Sequence, residues 1–249
     1  MTSRTNAFIA SFLLVGSTIG VQAADLPARV YTKAASVQVY DWSGIYIGAN
    51  GGWGSSHSCW LQTSDVGTPL TTNVPDGCHN ASGGTAGGQI GYRWQRSAWV
   101  FGLEAQGNWA DFHGSNVSSN TVFINRSKLD GYGLFTGQVG YAWDSVLLYA
   151  KGGAAVVRNS YVGYEPVEGV DFDRSSETRW GGTVGIGAEY AISRNVSFGL
   201  EYDHLFMGNS DTNLIGTGLS IGAAGVNTRG ERISQDVDTV TARLNFHFN

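Results

Sequence analysis

Apolar and polar residues alternate over eight segments of this chain, roughly 43–54, 84–94, 98–109, 129–143, 145–157, 178–190, 194–206 and 238–248. A period of two is the mark of a strand whose faces meet different surroundings. Some segments are separated only by Gln95 to Ser97, by Asp144, or by Ala191 to Ser193. Others are separated by the long polar stretches 55–83, 110–128, 158–177 and 207–237. Short and long connections alternate strictly. That order predicts an antiparallel up-and-down sheet with all its tight turns at one end and four long loops at the other.

One face of every segment is free of charge. The first gives Ile45, Ile47, Ala49, Gly51 and Trp53, and the last gives Val240, Ala242, Leu244, Phe246 and Phe248. The opposite face carries Arg93, Glu104, Asp130, Lys151, Arg179, Glu189, Glu201, Asp203 and Arg243, a mixture of both signs, with Gln89, Gln106, Asn108, Gln138 and Asn245 among them. A small eight-stranded barrel has room inside only for a packed filling, so it could not hold the many indoles of the apolar face. The pattern therefore predicts an inverted barrel, apolar outside and charged within, whose outer face meets lipid. A Lys or Arg on that face near the bilayer midplane would cost about 2–4 kcal/mol. The aromatic residues agree with this reading. Trp94, Trp99, Tyr141, Trp143, Tyr190 and Phe248 fall at the short-turn end, and Trp53, Trp109 and Trp180 at the long-loop end, as two interfacial girdles. The fold class expected is all-β: an eight-stranded antiparallel up-and-down transmembrane β-barrel over residues 42–249.

The N-terminus adds a compartment. Arg4 supplies a positive start, Ala7 to Gly16 a short apolar core, and Val21-Gln22-Ala23 a small-residue cleavage site. Residues 1–23 read as a secretory signal peptide, and 24–41 as a periplasmic segment ahead of the barrel. After residue 24 no apolar run reaches the 18 or more residues of a membrane-crossing helix. A net charge of −5 argues against nucleic acid as a partner.

DWSGIYIGANGGWG (41–54), GYAWDSVLLYAKGGAAV (140–156), WGGTVGIGAEYAIS (180–193) and the terminal VTARLNFHF, with ADLPARVYTKA after the signal, resemble the RopB-type or outer membrane immunogenic proteins of alphaproteobacteria. These are small β-barrels loosely grouped as a porin family. The resemblance covers nearly the whole mature chain and is weak in the long loops. It implies a place in the outer membrane of a Gram-negative cell, with termini in the periplasm, long loops outside, and lipid and lipopolysaccharide as surroundings. It also implies insertion by the outer-membrane assembly machinery, which reads a final strand ending in an aromatic. Phe246 and Phe248 are the assembly signal here, although Asn249 follows them where such proteins usually end on the aromatic itself. Members have been described as porin-like, as surface antigens and as haemin binders.

The candidate chemistry is sparse. His57, Cys59, Cys78 and His79 could be read as a metal site, but the spacing is not that of zinc ligands. Two cysteines outside the reducing cytoplasm are read as a Cys59–Cys78 disulfide, and no metal is expected. His57, His79 and His113, with Trp60 near, offer a haem site without supporting spacing, so no cofactor is expected and haem remains an alternative. Asp203 and His204 are adjacent on a strand and point to opposite faces, and no Ser-His-Asp set is identifiable, so no enzyme is expected. Glycine-dense stretches such as GGTAGGQIG (83–91) lack the dinucleotide-binding spacing. The function expected is structural, with a surface-antigen role and at most narrow solute diffusion. A diffusion porin and a haem-binding surface receptor are the alternatives.

Overall fold

The computed structural model describes residues 40–119, 121–219 and 223–248. They form eight strands: β1 (Gly44–Asp65), β2 (Thr68–Arg96), β3 (Trp99–Val117), β4 (Ile124–Trp143), β5 (Val146–Glu165), β6 (Val170–Ala191), β7 (Val196–Gly216) and β8 (Asn227–Phe248). Each pairs antiparallel with the next, and β8 returns to pair with β1, closing the barrel. Closure gives each strand a neighbour on both sides through the bilayer-spanning rows, the condition for crossing lipid with strands. The signal peptide, nearly all of the segment 24–41, and Asn249 lie outside the described residues.

The two faces sort as the alternation demands. Trp53, Trp109 and Trp180 are 62%, 81% and 64% exposed on the outside at one level, and Trp94, Trp99, Trp143, Tyr190 and Phe248 are exposed at the other. Between them Ile47, Ile90, Leu103, Phe135, Ile186 and Leu200 also point outward. Water would penalise such a surface, whereas hydrocarbon accepts it.

The strands are 19 to 29 residues long, about twice the 9–11 residues that a tilted strand needs to cross a bilayer. Most of the length expected as loop is strand. The stretch 55–83 is a continuous hairpin with only Val66 and Gly67 at its tip. The stretches 110–128, 158–177 and 207–237 likewise carry their strands well past the upper girdle before turning. Outside the bilayer the outer face no longer has to be apolar, so the hydrophobic alternation fades while the hydrogen-bonded ladder continues. The short turns lie where expected, with positive φ at Ser97 (58°) and Asp144 (47°).

Asp130 corrects the list of lumen charges. A β-bulge between Leu129 and Gly131 breaks the β4–β5 register. Below it Tyr132 and Leu134 face inward, and above it Leu129, Ser127 and Asn125 do. The extra residue turns Asp130 outward, where its side chain is 29% exposed, 3.3 Å from Lys128 and 2.7 Å from Ser160 Oγ. A single inserted residue reverses the facing of every residue beyond it, and the composition of one strand gives no sign of it.

Candidate functional site: the charged interior

The interior is filled in layers. At the short-turn end, Trp42 lies across the opening, fixed by its backbone N–H donating to Gln95 Oε1 at 2.8 Å, and packs with Val100, Ala142, Leu147, Tyr149 and Ala191. Next comes an ion layer in which three cations, Arg93, Lys151 and Arg243, meet four carboxylates, Glu104, Glu189, Glu201 and Asp203, all buried. Arg93 holds Glu189 at 2.9 Å. Lys151 reaches Glu201 at 2.7 Å, Asp203 at 3.1 Å and Glu104 at 3.6 Å. Arg243 bridges Glu104 and Glu201 directly. Tyr46 donates to Glu104 and Tyr149 to Glu201, each at 2.6 Å.

Amides continue the network upward. Asn108 donates to Asn50 at 2.6 Å, Asn50 to Gln89 at 2.7 Å, and Gln89 to Asn245 at 2.7 Å. Above them an apolar layer of Phe112, Leu129, Leu134, Leu205, Met207 and Val237 closes the bore. Asn159, Gln235 and Ser56 are hydrogen-bonded over it. Trp60, Tyr161, Leu214 and Ile233 follow as a second apolar group.

The outermost layer centres on Arg229. Its guanidinium holds Asp173 at 2.9 Å and Asp76 at 3.2 Å, and donates to Asn125 at 2.8 Å. Glu231 is buried beside it, 3.6 Å from Nη1, and neither of its carboxylate oxygens accepts a hydrogen bond. Burial pushes the Glu231 carboxyl up to about 8, with Asp76 and Asp173 adding to the rise and Arg229 opposing it. The sequence reading missed this layer because Asp76, Asp173, Arg229 and Glu231 all fall in stretches taken for loops.

The eight other lumen charges expected from sequence, Arg93, Glu104, Lys151, Arg179, Glu189, Glu201, Asp203 and Arg243, are buried inside. Seven join in the ion layer, while Arg179 stands higher, bound to Glu177 at 3.2 Å. The ion layer also has an internal repeat. Phe101-Gly102-Leu103-Glu104 on β3 recurs as Phe198-Gly199-Leu200-Glu201 on β7. Tyr46 lies over Gly91 and reaches Glu104, and Tyr149 lies over Gly187 and reaches Glu201. Neither glycine leaves room for a Cβ beneath its tyrosine ring. The FGLE repeat was the sequence signal that could have located this centre.

One grouping resembles a hydrolase site. Ser197 lies 2.8 Å from His247 Nε2, and Glu189 lies 3.4 Å from the same nitrogen. A nucleophilic triad needs the acid on Nδ1 and the serine on Nε2. Here one nitrogen meets both and Nδ1 has no hydrogen-bond partner. The group is also buried beneath Trp42 and Tyr40, whose rings lie 5.8 and 6.0 Å from that of His247. It cannot admit a substrate in this arrangement.

The cysteines face each other across the β1–β2 ladder, with Cα atoms 4.1 Å apart, and are joined as a disulfide on the outer surface. Both sulfurs are consumed by that bond and cannot act as thiolate ligands to a metal. The histidines separate too. His79 points inward to Asn116 at 2.8 Å, whereas His57 and His113 point outward, to Asn80 and Asp111, each at 2.7 Å.

Comparison with known proteins agrees with the barrel. A family model described as the outer membrane protein beta-barrel domain matches residues 11–248. The 31 kDa outer-membrane immunogenic protein of Brucella melitensis is 30% identical over 188 residues, covering 70% of this chain and 75% of the relative. The 22 kDa outer membrane protein of Rhizobium leguminosarum is 33% identical over 130 residues, covering 51% of this chain and 56% of that one. Among solved structures, OprG from Pseudomonas aeruginosa superposes with a TM-score of 0.50 at 13% identity, over 84% of this chain and 98% of that chain. The outer membrane protease OmpT from Escherichia coli gives 0.50 at 12%, over 82% and 97%. At such identity the structural likeness concerns the fold alone. Together with the inverted faces and the two girdles, the sequence match establishes that this chain belongs to the outer membrane protein beta-barrel family and resides in the outer membrane.

Proposed function

We propose that the protein is a sealed barrel with a structural role in the outer membrane, displaying its long hairpins as a surface antigen and passing no bulk solute. The observation that carries this reading is the filling of the bore. An ion layer, an apolar layer and the Arg229 cluster succeed one another between Trp42 and the hairpin tips, and their central side chains are almost fully buried. Charges of both signs neutralise one another there, so the lumen is a packed salt-bridged core. The Brucella melitensis relative supports the antigen role, since its name describes an immunogenic outer-membrane protein. The outward Phe246 and Phe248 on the closing strand support recognition by the assembly machinery.

The diffusion-channel reading would require the ion layer to open, and the haem-receptor reading would require His79 to leave the interior. Nothing in the arrangement favours either. The three-residue Ser197–His247–Glu189 grouping lacks triad geometry, so the proposal includes no enzymatic activity. Planar-bilayer recording of the refolded mature protein tests the proposal. The expected record is a closed bilayer with rare, brief events. Large, long-lived unit steps proportional to protein added would refute the sealed barrel.

A further inference from the structure

Four cations stand on one side of the barrel, at and above the upper tryptophan girdle. Arg158 lies in the paired row Trp109–Gly131–Arg158–Thr178, beside the girdle itself. Lys128 lies in the next row, with His113, Ser160 and Ser176. Arg126 and Arg174 share the row above, joined through Val162. All four point outward, and successive rows are separated by about 7 Å along the strands. Among the described residues the side chains of Arg158 and Arg174 make no hydrogen bond or ion pair. Arg126 meets Asp171 at 3.5 Å, and Lys128 meets Asp111 and Asp130 at 3.3 Å, all between exposed or part-exposed groups. Such contacts contribute little and exchange readily for a stronger anion.

The clefts on this side run in the same direction. One of about 610 Å³ at girdle level is floored by Gly131, Gly133 and Val156 and edged by Trp109, Asp130, Arg158 and Thr178. Another of about 430 Å³ above it is lined by His113, Arg126, Lys128 and Ser160. The lower has an apolar floor suited to hydrocarbon beneath a polar rim, and the upper offers Arg126 and Lys128 to an anion among hydroxyl groups, with Asp171 at its edge. The opposite side is acidic above the girdle. There Asp211, Asp236 and Asp238 face outward on β7 and β8, Asp238 held by His204 at 2.7 Å and Asp211 holding Arg232 through two bonds of 2.7 and 3.0 Å.

We propose that the outer surface of β4–β6 binds a phosphorylated glycolipid of the outer leaflet, with phosphate on Lys128, Arg126, Arg158 and Arg174 and an acyl chain in the glycine-floored cleft beneath. The carboxylates Asp111, Asp130 and Asp171 on the same side leave a net positive charge of one and would accept hydrogen bonds from sugar hydroxyls. A lipid in the outer leaflet carries its headgroup above its chains, the order in which the cationic and apolar clefts are stacked. The apolar floor selects a membrane lipid over free phosphate. The inference depends on the outer-membrane location and is independent of whether the lumen conducts.

The test uses the full mature protein in neutral detergent, with heat-modifiable gel migration as the folding check. Binding is measured by native mass spectrometry to bisphosphorylated lipid A and to the same lipid dephosphorylated, with inorganic phosphate as competitor. The unaltered protein and the opposite-side variant Arg232→Gln should retain the phosphorylated lipid. The combined variant Arg126→Gln, Lys128→Gln, Arg158→Gln, Arg174→Gln should bind it at least about tenfold more weakly. Dephosphorylated lipid should bind weakly to all three, and millimolar phosphate should not compete. Retention by the unaltered protein should also fall as salt rises, a readout that does not depend on the variant folding. Equal retention by the combined variant, indifference to phosphorylation, displacement by phosphate alone or salt-independent binding would each overturn the proposal.

Discussion

Val66 has a φ of 45° and Gly67 a φ of 73° at the tip of the β1–β2 hairpin. Two successive positive values suit a two-residue turn that follows the right-handed twist of its strands, but a β-branched residue is poorly fitted to the first position. Val66→Asn should stabilise the hairpin by about 1 kcal/mol, measured as a higher denaturant midpoint for protease resistance at the tip. Glu231 makes a different single-residue prediction. Its carboxyl titrates near 8 when folded, against 4.5 as an ordinary group. The folded state therefore keeps a proton that the unfolded state releases as pH rises above about 4.5. Its contribution to stability is full below that value and is lost as pH climbs through about 8. Protection factors of the amides along residues 227–235, taken as intrinsic over observed exchange rates so that base catalysis cancels, should fall over that window, and Glu231→Gln should flatten the dependence. A flat profile in the unaltered protein would contradict this account of Glu231.

At the scale of the strand, lipid made the sequence legible. Where hydrocarbon surrounds the barrel, an outward charge is costly, so Leu103, Phe135, Ile186 and Leu200 announce their facing. Above Trp53 and Trp109 water tolerates either kind of residue, and the strands continue unmarked through Ser56, Ser58 and Trp60. Asp130 shows a second limit, since a bulge changes facing without changing composition. The Cys59–Cys78 bond lies in one of these extensions, across strands already joined by backbone hydrogen bonds. Reduction should therefore loosen the tip rather than unfold the barrel. Proteolysis within 61–76 on intact cells should increase severalfold, while heat-modifiable migration stays unchanged. The chain-entropy value of about 3 kcal/mol for a loop of this length is an upper figure here, because the hairpin restricts the loop as well.

Across the whole molecule, Arg243 links the two halves of the ion layer. It joins Glu104 of the first FGLE stretch to Glu201 of the second and donates to Tyr149 Oη at 3.0 Å. Arg243→Ala would strand carboxylates in the core with only Lys151 to share. A loss of about 3–5 kcal/mol is expected on removing one partner of such a buried group. The thermal midpoint for loss of the folded gel form should fall, and brief conducting events should become more frequent as water enters. An unchanged midpoint with unchanged conductance would mean that Lys151 and Arg93 hold the layer without it.

The alternation of VTARLNFHF and the seven segments like it determined by itself that the chain crosses a membrane as an eight-stranded barrel, because hydrocarbon imposes the same rule on every strand. It also determined which face of the bilayer-spanning stretches carries the charges. The partners of those charges were decided only by tertiary structure. Arg93 meets Glu189, and Arg243 meets Glu104, from strands far apart in sequence, while Arg243 also meets Glu201 on the strand beside it. Tertiary structure also decided the facing of Asp130, the reach of the strands above the girdle, and the Arg229 cluster at the mouth. All depend on register and curvature, which bring side chains together only when the sheet closes.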